Sequence, residues 1–346
     1  MLLPRLGVVI VTFNSADVIC DCLESLLTAT GVQLSITVVD NASTDNTLQI
    51  LKDWASGTPW VASTDLPFQL TPSPKPIVLD GISRHAGHGI MLIETGINAG
   101  FAAGVNVGLA HLAADRGLER FWVLNPDSVT APDTPAAFAT AQTPDSGFAL
   151  MGGRVLYLDK PDTIQIDGGT LNSRTGVTGN LGLGGLHANT PAPNPDQLAF
   201  ITGASMVASR RFYEMAGPMP EDYFLYYEEV DWALQRGTLP LIYCPNAIVY
   251  HRAGTAIGSP TLGRPASPFS LYFKHRGRLR FIRRHFPRSL PLAIGYSLAK
   301  AGQLLLKGYP TEAWTVLSAS LDMQPSATVR TRLTPDAAKL AFRQRR

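Results

Sequence analysis

Three cysteines in 346 residues are too few for a disulfide framework, and their odd number leaves one without a partner. Cys20 and Cys22 stand two apart on a stretch with helical spacing, so they point to different faces. They read as small buried apolar residues rather than metal ligands, in a reduced, cytosolic protein. Charged residues are also scarce, at 16% against 45% hydrophobic. That balance is ample for a sizeable core, and the length suits one large domain with an appendage, or two domains. No charged leader precedes the first apolar run, "LGVVIVTF", which is short; a strand is expected there, not a signal peptide. The apolar stretch 289–309 is interrupted by Lys300 and Gln303, so it reads as an interfacial helix before a span. No glycine-rich basic loop follows the first strand. "VTFNSADVI" therefore argues against a triphosphate-binding sugar-1-phosphate nucleotidyltransferase.

One further absence is local. Residues 232–311 hold 12 Lys/Arg and no acid, whereas residues 1–231 hold 11 Lys/Arg and 24 Asp/Glu. The C-terminal part is thus expected to face something anionic. Eight cations in 264–288, interleaved with Tyr272, Phe273, Phe281 and Phe286, suit phosphates of a membrane or a nucleic acid. The acidic body repels nucleic acid, and none is expected as a partner.

The first 125 residues alternate strand and helix. "LGVVIVTF" (6–13), "SITVVD" (35–40), "IMLIET" (90–95) and "FWVLN" (121–125) are expected strands. The helices between them have apolar positions at helical spacing. This rhythm implies an α/β fold with a mostly parallel sheet, whose ligands sit beyond the carboxyl ends of the strands. The polar residues at those ends are Asn14, Asp40, Asn41, Asn98, Asn125 and Asp127. Residues 57–89 break the rhythm and read as a surface insertion. Its His85 and His88 form a weak metal-ligand pair at best. The stretch 149–208 reads as mixed or antiparallel sheet.

Several short stretches carry chemistry. Asp40, in "VVDNASTDNT", can accept from a pyrimidine base or a ribose hydroxyl, beside an ordinary helix cap. "GINAGFAAGVNVGL" spaces Gly100, Gly104 and Gly108 four apart, with Asn98 and Asn106. Such a face admits close approach of either backbone or ligand. "LNPDS" puts Asp127 on a proline turn, where one carboxylate can share Mg²⁺ or Mn²⁺ with a diphosphate, or simply make a β-turn. His251 ends a later strand and is a second candidate ligand. "YFLYYEEVDWALQR" crowds Glu228, Glu229 and Asp231 behind aromatics. Such crowding raises carboxyl pKa values and suits a general base, but acids also favour a first helical turn.

The order "VTFN", "VVDNASTD", "NAGFAAGVNVG", "LNPDS", "ITGASMVASRRFYEMAG", "YFLYYEEVDWALQR" and "IYCPNAIVYHRAG" resembles the family-two glycosyltransferases. Their rhamnosyltransferase-like branch is closest, to which "DGGTLNSRTGVTGNLGLGG" (167–185) is also similar. The resemblance spans about residues 5–255 without the insertion. It implies the GT-A fold: a Rossmann-like, mixed but mostly parallel sheet flanked by helices. A catalytic domain over 1–265 and a basic, amphipathic helical region over 266–346 are expected. By resemblance Thr12, Asn14, Asp40 and Asn41 line the base and ribose. Asn98 and Gly100 lie near the diphosphate, Asn106 joins the nucleotide-sugar residues, and Asp127 with His251 holds Mg²⁺ or Mn²⁺. Gly203, Ala204 and Ser205 wall the sugar region. Glu229 takes the place of the base, with Asp231 as rival and Glu228 as a neighbour that raises its pKa. Asp231 and Trp232 hold the acceptor. Two positions depart from the family pattern: Asn125 stands where the metal motif often has Asp, and Glu229 where the base is usually Asp.

The implied donor is dTDP-rhamnose, or else a UDP-hexose or UDP-galactofuranose; the implied acceptor is a saccharide or a lipid-diphosphate saccharide. Tyr272, Leu279, Ile282 and Phe286 fall at helical spacing with Arg276, Arg280, Arg283 and Arg284 between them. That stripe is expected to lie on the anionic inner face of the cell membrane, or else to pack on the body or form a homodimer.

Overall fold

The structure, a computed structural model, describes residues 2–63, 65–252 and 266–343. The expected end of the catalytic domain, at 265, lies outside the described residues. The N-terminal half runs β1 (Arg5–Thr12), α1 (Ile19–Leu27), β2 (Gln33–Asp40), α2 (Thr47–Ser56), β3 (Asp80–His85), β4 (His88–Glu94), α3 (Phe101–Ala113) and β5 (Arg120–Leu124). Next come β6 (Ser128–Thr130), α4 (Thr134–Thr140), β7 (Leu150–Tyr157), β8 (Lys160–Ile166), β9 (Gly169–Leu171), β10 (Thr178–Asn180), β11 (Ser205–Ser209) and α5 (Arg210–Ala216). The chain continues through α6 (Glu228–Leu234), β12 (Ile242–His251), α7 (Pro268–His285) and α8 (Leu290–Leu306), and then α9 (Pro310–Ser320), α10 (Ala327–Arg330) and α11 (Pro335–Ala341).

The main sheet has the order β3-β4-β2-β1-β5-β11-β7-β12-β6, with β8 on β7. β4, β2, β1 and β5 are mutually parallel, in a register that sets Thr12 beside Asp40 and Asp40 beside Glu94. Their carboxyl ends therefore share one edge, as crossover helices require. β11 runs antiparallel to β5 and β7, so the sheet is mixed beyond β5. The glycine stripe of α3 explains its close seat on the sheet. A Cβ at Gly104 or Gly108 would come within 2.6 Å of Val11 or 2.4 Å of Val9. At those two positions the small residues serve helix–sheet packing, not a ligand.

The expected insertion is shorter than read. Residues 80–85 form the edge strand β3, and His88 Nδ1 accepts from the Leu34 backbone N–H at 3.1 Å, a structural place for that histidine. The rest of the loop is pinned by two acids of α1. Asp21 accepts from Trp60 and Ser63, and the fully buried Glu24 accepts from Trp54, the Ser73 N–H and Lys75.

Candidate active site

A cleft of about 780 Å³ opens beyond the carboxyl ends of β1, β2 and β5. Of the residues expected there, Asn14, Asn41, Asn98, Gly100, Asp127 and His251 line it. Asn14 leaves β1 with a positive φ of 53°, which an asparagine tolerates, and its Oδ1 accepts from the Thr44 N–H at 2.8 Å. Asn41 donates to Asn98 Oδ1 at 3.1 Å and to the Gly100 carbonyl at 2.9 Å. Two residues lie beneath this floor rather than on it. Asp40 is buried and accepts from Thr12 Oγ1 at 3.0 Å and from Ser43 Oγ at 2.6 Å. Both Thr12 and Asp40 thus brace the strand ends instead of facing a ligand. Asn106 is not brought to the cleft. Its amide bonds the Met219 carbonyl and Glu221, and its Oδ1 accepts from the Met219 N–H, tying α3 to the 217–221 turn.

Asp127 and His251 meet at the far wall, as β12 pairs with β6 just past the Asn125-Pro126-Asp127 turn. His251 Nδ1 lies 2.9 Å from Gln165 Oε1. Its Nε2 lies 3.2 Å from the Asn125 amide nitrogen and 3.0 Å from Asp127 Oδ1. The donor set fits Mg²⁺ or Mn²⁺, which use one or two protein ligands and complete their shell with water and phosphate oxygens. No group of three His, Cys, Asp or Glu suited to a metal occurs among the described residues.

From the cleft wall the chain runs into the crowded acids. Phe224 and Leu225 line the cleft, and the Phe224 carbonyl accepts from the Phe101 N–H at 2.9 Å. Gly100 permits this contact: its φ is 101°, and a Cβ there would lie 2.4 Å from the Phe224 oxygen. Phe224, Tyr226 and Tyr227 all have positive φ, at 67°, 65° and 78°. For bulky residues this costs on the order of 1–3 kcal/mol each, a strain that concentrates at functional segments. The segment is held in place by hydrogen bonds from Tyr227 Oη to the Gly176 carbonyl (2.6 Å) and between Tyr226 Oη and Ser270 Oγ (2.8 Å).

The three acids have different surroundings. Glu228 is buried, one of its oxygens has no hydrogen-bond partner, and burial followed by repulsion from Glu229 raises its pKa well above the usual range. Glu229 is half-buried; burial raises its pKa too, and the Lys274 ammonium opposes the shift without cancelling it. Asp231 differs. Burial would push its carboxyl up, but hydrogen bonds from Tyr223, Gln235 and His285 outweigh that and hold it below its usual value. With Arg284 Nη1 at 2.7 Å as well, its acceptor capacity is spent. Asp231 is a structural hub, not a free base. Trp232 is fully buried against Phe212 and donates to the Gly217 carbonyl, so it offers no platform for an acceptor sugar. Gly203 abuts Phe101 of the cleft, the Ala204 carbonyl accepts from the Asn125 N–H, and buried Ser205 accepts from the Trp122 indole. These three stand one layer behind the cleft.

Residues 7–67 match the family model described as Glycosyl transferase family 2. Over 57 residues the chain is 39% identical to the uncharacterized glycosyltransferase YibD of Escherichia coli (strain K12), a match covering 16% of this chain and 17% of that protein. The chain thus spans about one sixth of the curated relative it matches. Among solved structures it is similar to the mannosyltransferase PcManGT from Pyrobaculum calidifontis in complex with GDP-Man and Mn²⁺. The TM-score is 0.52 at 16% identity, over 93% of this chain and 87% of that one. It is also similar to GalNAc-T7 with UDP, GalNAc and Mn²⁺, with a TM-score of 0.54 at 13% identity, over 92% and 57%. The chain has the GT-A glycosyltransferase fold.

In this GT-A fold the C-terminal helices are not a detachable appendage. Tyr272, Leu279, Phe281 and Ile282 of α7 are buried, and Gly277 lets α7 close on the strained segment, since a Cβ there would come 2.8 Å from the Tyr226 carbonyl. Of the four arginines expected to face lipid, three are consumed internally and Arg283 is exposed. Arg276 binds Asp322 and the Ala341 carbonyl, Arg280 binds the Asp222 carbonyl, and Arg284 binds Asp222 and Asp231. The expectation that α7 lies on a membrane is therefore corrected. Asp17, Phe269 and Arg332 also line the cleft without having been singled out in the sequence, and so does Arg252, which lies inside the last motif but was given no role. Arg252 follows His251 directly and could have been suspected. Nothing in the sequence signals Arg332.

Proposed function

We propose that this chain is an inverting, metal-dependent glycosyltransferase that moves a sugar from a nucleotide sugar to a saccharide or lipid-diphosphate-linked acceptor. One observation carries the reading: the cleft gathers Asn14, Asn41, Asn98 and the Asp127–His251 pair, and Phe224 and Leu225 of the strained segment just before Glu229 wall it, although Glu229 is not itself among the lining residues. The ligands named for PcManGT and GalNAc-T7, nucleotides with Mn²⁺, support a nucleotide and a divalent cation in that cleft. Asp127 and His251 would hold Mg²⁺ or Mn²⁺, which neutralises charge on a departing diphosphate. The strand-end asparagines fix the donor, and Glu229 receives the acceptor hydroxyl proton as that oxygen attacks the anomeric carbon. The donor implied by the resemblance to the rhamnosyltransferase-like branch is dTDP-rhamnose, ahead of a UDP-hexose or UDP-galactofuranose. A thermal-stability screen across UDP-, GDP- and dTDP-sugars, with and without Mn²⁺, tests this. Stabilisation by one nucleotide class in Mn²⁺ is expected; none by any donor at millimolar concentration rejects the reading.

A membrane surface as partner rests on α8, the second of the two stretches expected to be interfacial, and not on α7. Leu298, Leu305, Leu306 (92% exposed), Tyr309 and Trp314 lie exposed along α8 and the start of α9. Arg283, Arg288, Lys300 and Lys307 flank them, in a stretch with no acid before Glu312. Apolar residues rimmed by cations suit peripheral attachment to an anionic bilayer on its cytoplasmic face. Among the described residues no helix is long and apolar enough to cross a membrane. Flotation with anionic vesicles should carry the full chain and lose the Leu305→Glu/Leu306→Glu variant. Equal flotation of both, or a dimer that the variant dissociates, counts against the membrane.

A further inference from the structure

Among the described residues, the ionisable side chains lining the cleft are Asp17, Asp127, His251, Arg252 and Arg332. Arg252 directly follows His251 in the last motif, whereas Arg332 lies outside every motif. The Arg252 backbone N–H donates to the Asp127 carbonyl at 2.9 Å, and its guanidinium donates to Ser63 Oγ at 3.1 Å. Ser63 is in turn held by Asp21, so the insertion braces this arginine beside the cation ligands. Arg332 arrives from the far end of the chain. Its neighbour Leu333 is buried in a cluster with Phe269, Phe273 and Phe342, which anchors the turn. Arg332 itself is exposed, its guanidinium 5.7 Å from the centre of the Phe269 ring, and both residues line the cleft.

The chemistry supplies a reason for cations here. When the bond from the anomeric carbon to the diphosphate oxygen breaks, its electron pair stays on that oxygen. The acceptor oxygen makes the new bond and its proton passes to Glu229. The charge left on the diphosphate must be neutralised, yet this site has Asn125 where a second carboxylate would strengthen the cation's hold. A guanidinium fork binds phosphate oxygens through two parallel hydrogen bonds and keeps its charge at any working pH.

We propose that Arg332, with Arg252, binds the donor's diphosphate, so that part of the leaving-group charge is neutralised by the C-terminal segment rather than by the cation. This rests on the nucleotide-sugar reading of the cleft. Calorimetry in EDTA with inorganic pyrophosphate, and with UDP, GDP and dTDP, separates the two. The full-length chain should bind pyrophosphate and one nucleoside diphosphate without metal, more weakly as salt rises. Arg332→Ala should lower both affinities by about tenfold or more while leaving the matching nucleoside unaffected, and Arg332→Lys should recover part of the loss. Melting temperatures of the variants are read alongside, and Arg332→Gln replaces the alanine variant if that melts early. Unchanged pyrophosphate affinity in a folded Arg332 variant overturns the proposal. If no nucleoside diphosphate binds the unaltered chain in either Mn²⁺ or EDTA, the reading of the cleft falls and the proposal with it.

Discussion

Glu229→Gln is expected to lower turnover by about 10²–10⁴-fold, the usual contribution of a positioned general base, while nucleoside diphosphate affinity stays unchanged. The amide keeps the side chain's shape and the first turn of α6, but it cannot accept the acceptor's proton. The pH profile is a second readout. The active form of Glu229 is the carboxylate, and burial raises its pKa. Activity should therefore be absent at low pH and appear as pH rises through a value above the ordinary glutamate range of about 4.3. Asp231→Asn should behave differently. Asp231 is ionised and buried, and accepts from Tyr223, Arg284 and His285, so its loss should cost stability, about 1–3 kcal/mol, the half-exposed Arg284 keeping Asp222 as a partner. That contribution is present above the unfolded-state pKa and is lost as pH falls through the depressed folded value. A folded Asp231→Asn protein with no activity, beside a Glu229→Gln protein at full rate, would transfer the role of base to Asp231.

Asp127→Ala should remove the metal-dependent part of nucleotide binding, a loss of about 10² or more for a cation that contributes several kcal/mol. His251→Ala should lose less, because the carboxylate carries the charge. Titrations with the nucleoside diphosphate in Mn²⁺ and in EDTA make the comparison. Wild type should bind more tightly in Mn²⁺, and Asp127→Ala should bind equally in both. If all three proteins show the same affinity with and without the cation, the metal has no place in the site.

The strand–helix rhythm of the first 125 residues was readable because β1 is a nearly unbroken apolar run covered on both faces and β2 carries apolar residues through its buried centre. The strand ends followed, since a parallel sheet puts polar residues such as Asn14, Asn41 and Asp127 along one edge. Whether such a residue faces the cleft or the layer beneath was not readable. Asp40 and Asn41 are adjacent in sequence, yet one braces Ser43 and the other lines the cleft. α7 misled because an arginine-rich stripe looks the same whether its partners are phosphates or carbonyls. Those partners, such as Asp322 and the Ala341 carbonyl, come from far along the chain. The strain at Phe224, Tyr226 and Tyr227 has no sequence signal either, because these residues have no intrinsic preference for positive φ.

The anomeric configuration of the first product formed from the stabilising donor tests the central claim most directly. It is followed by proton NMR with Mn²⁺ present and with acceptor sugar or water as the attacking group. The account predicts consumption of the donor, release of the nucleoside diphosphate, and a product of opposite configuration, all lost in Glu229→Gln. Retained configuration, or a Glu229→Gln protein that consumes the donor at the wild-type rate, would contradict it.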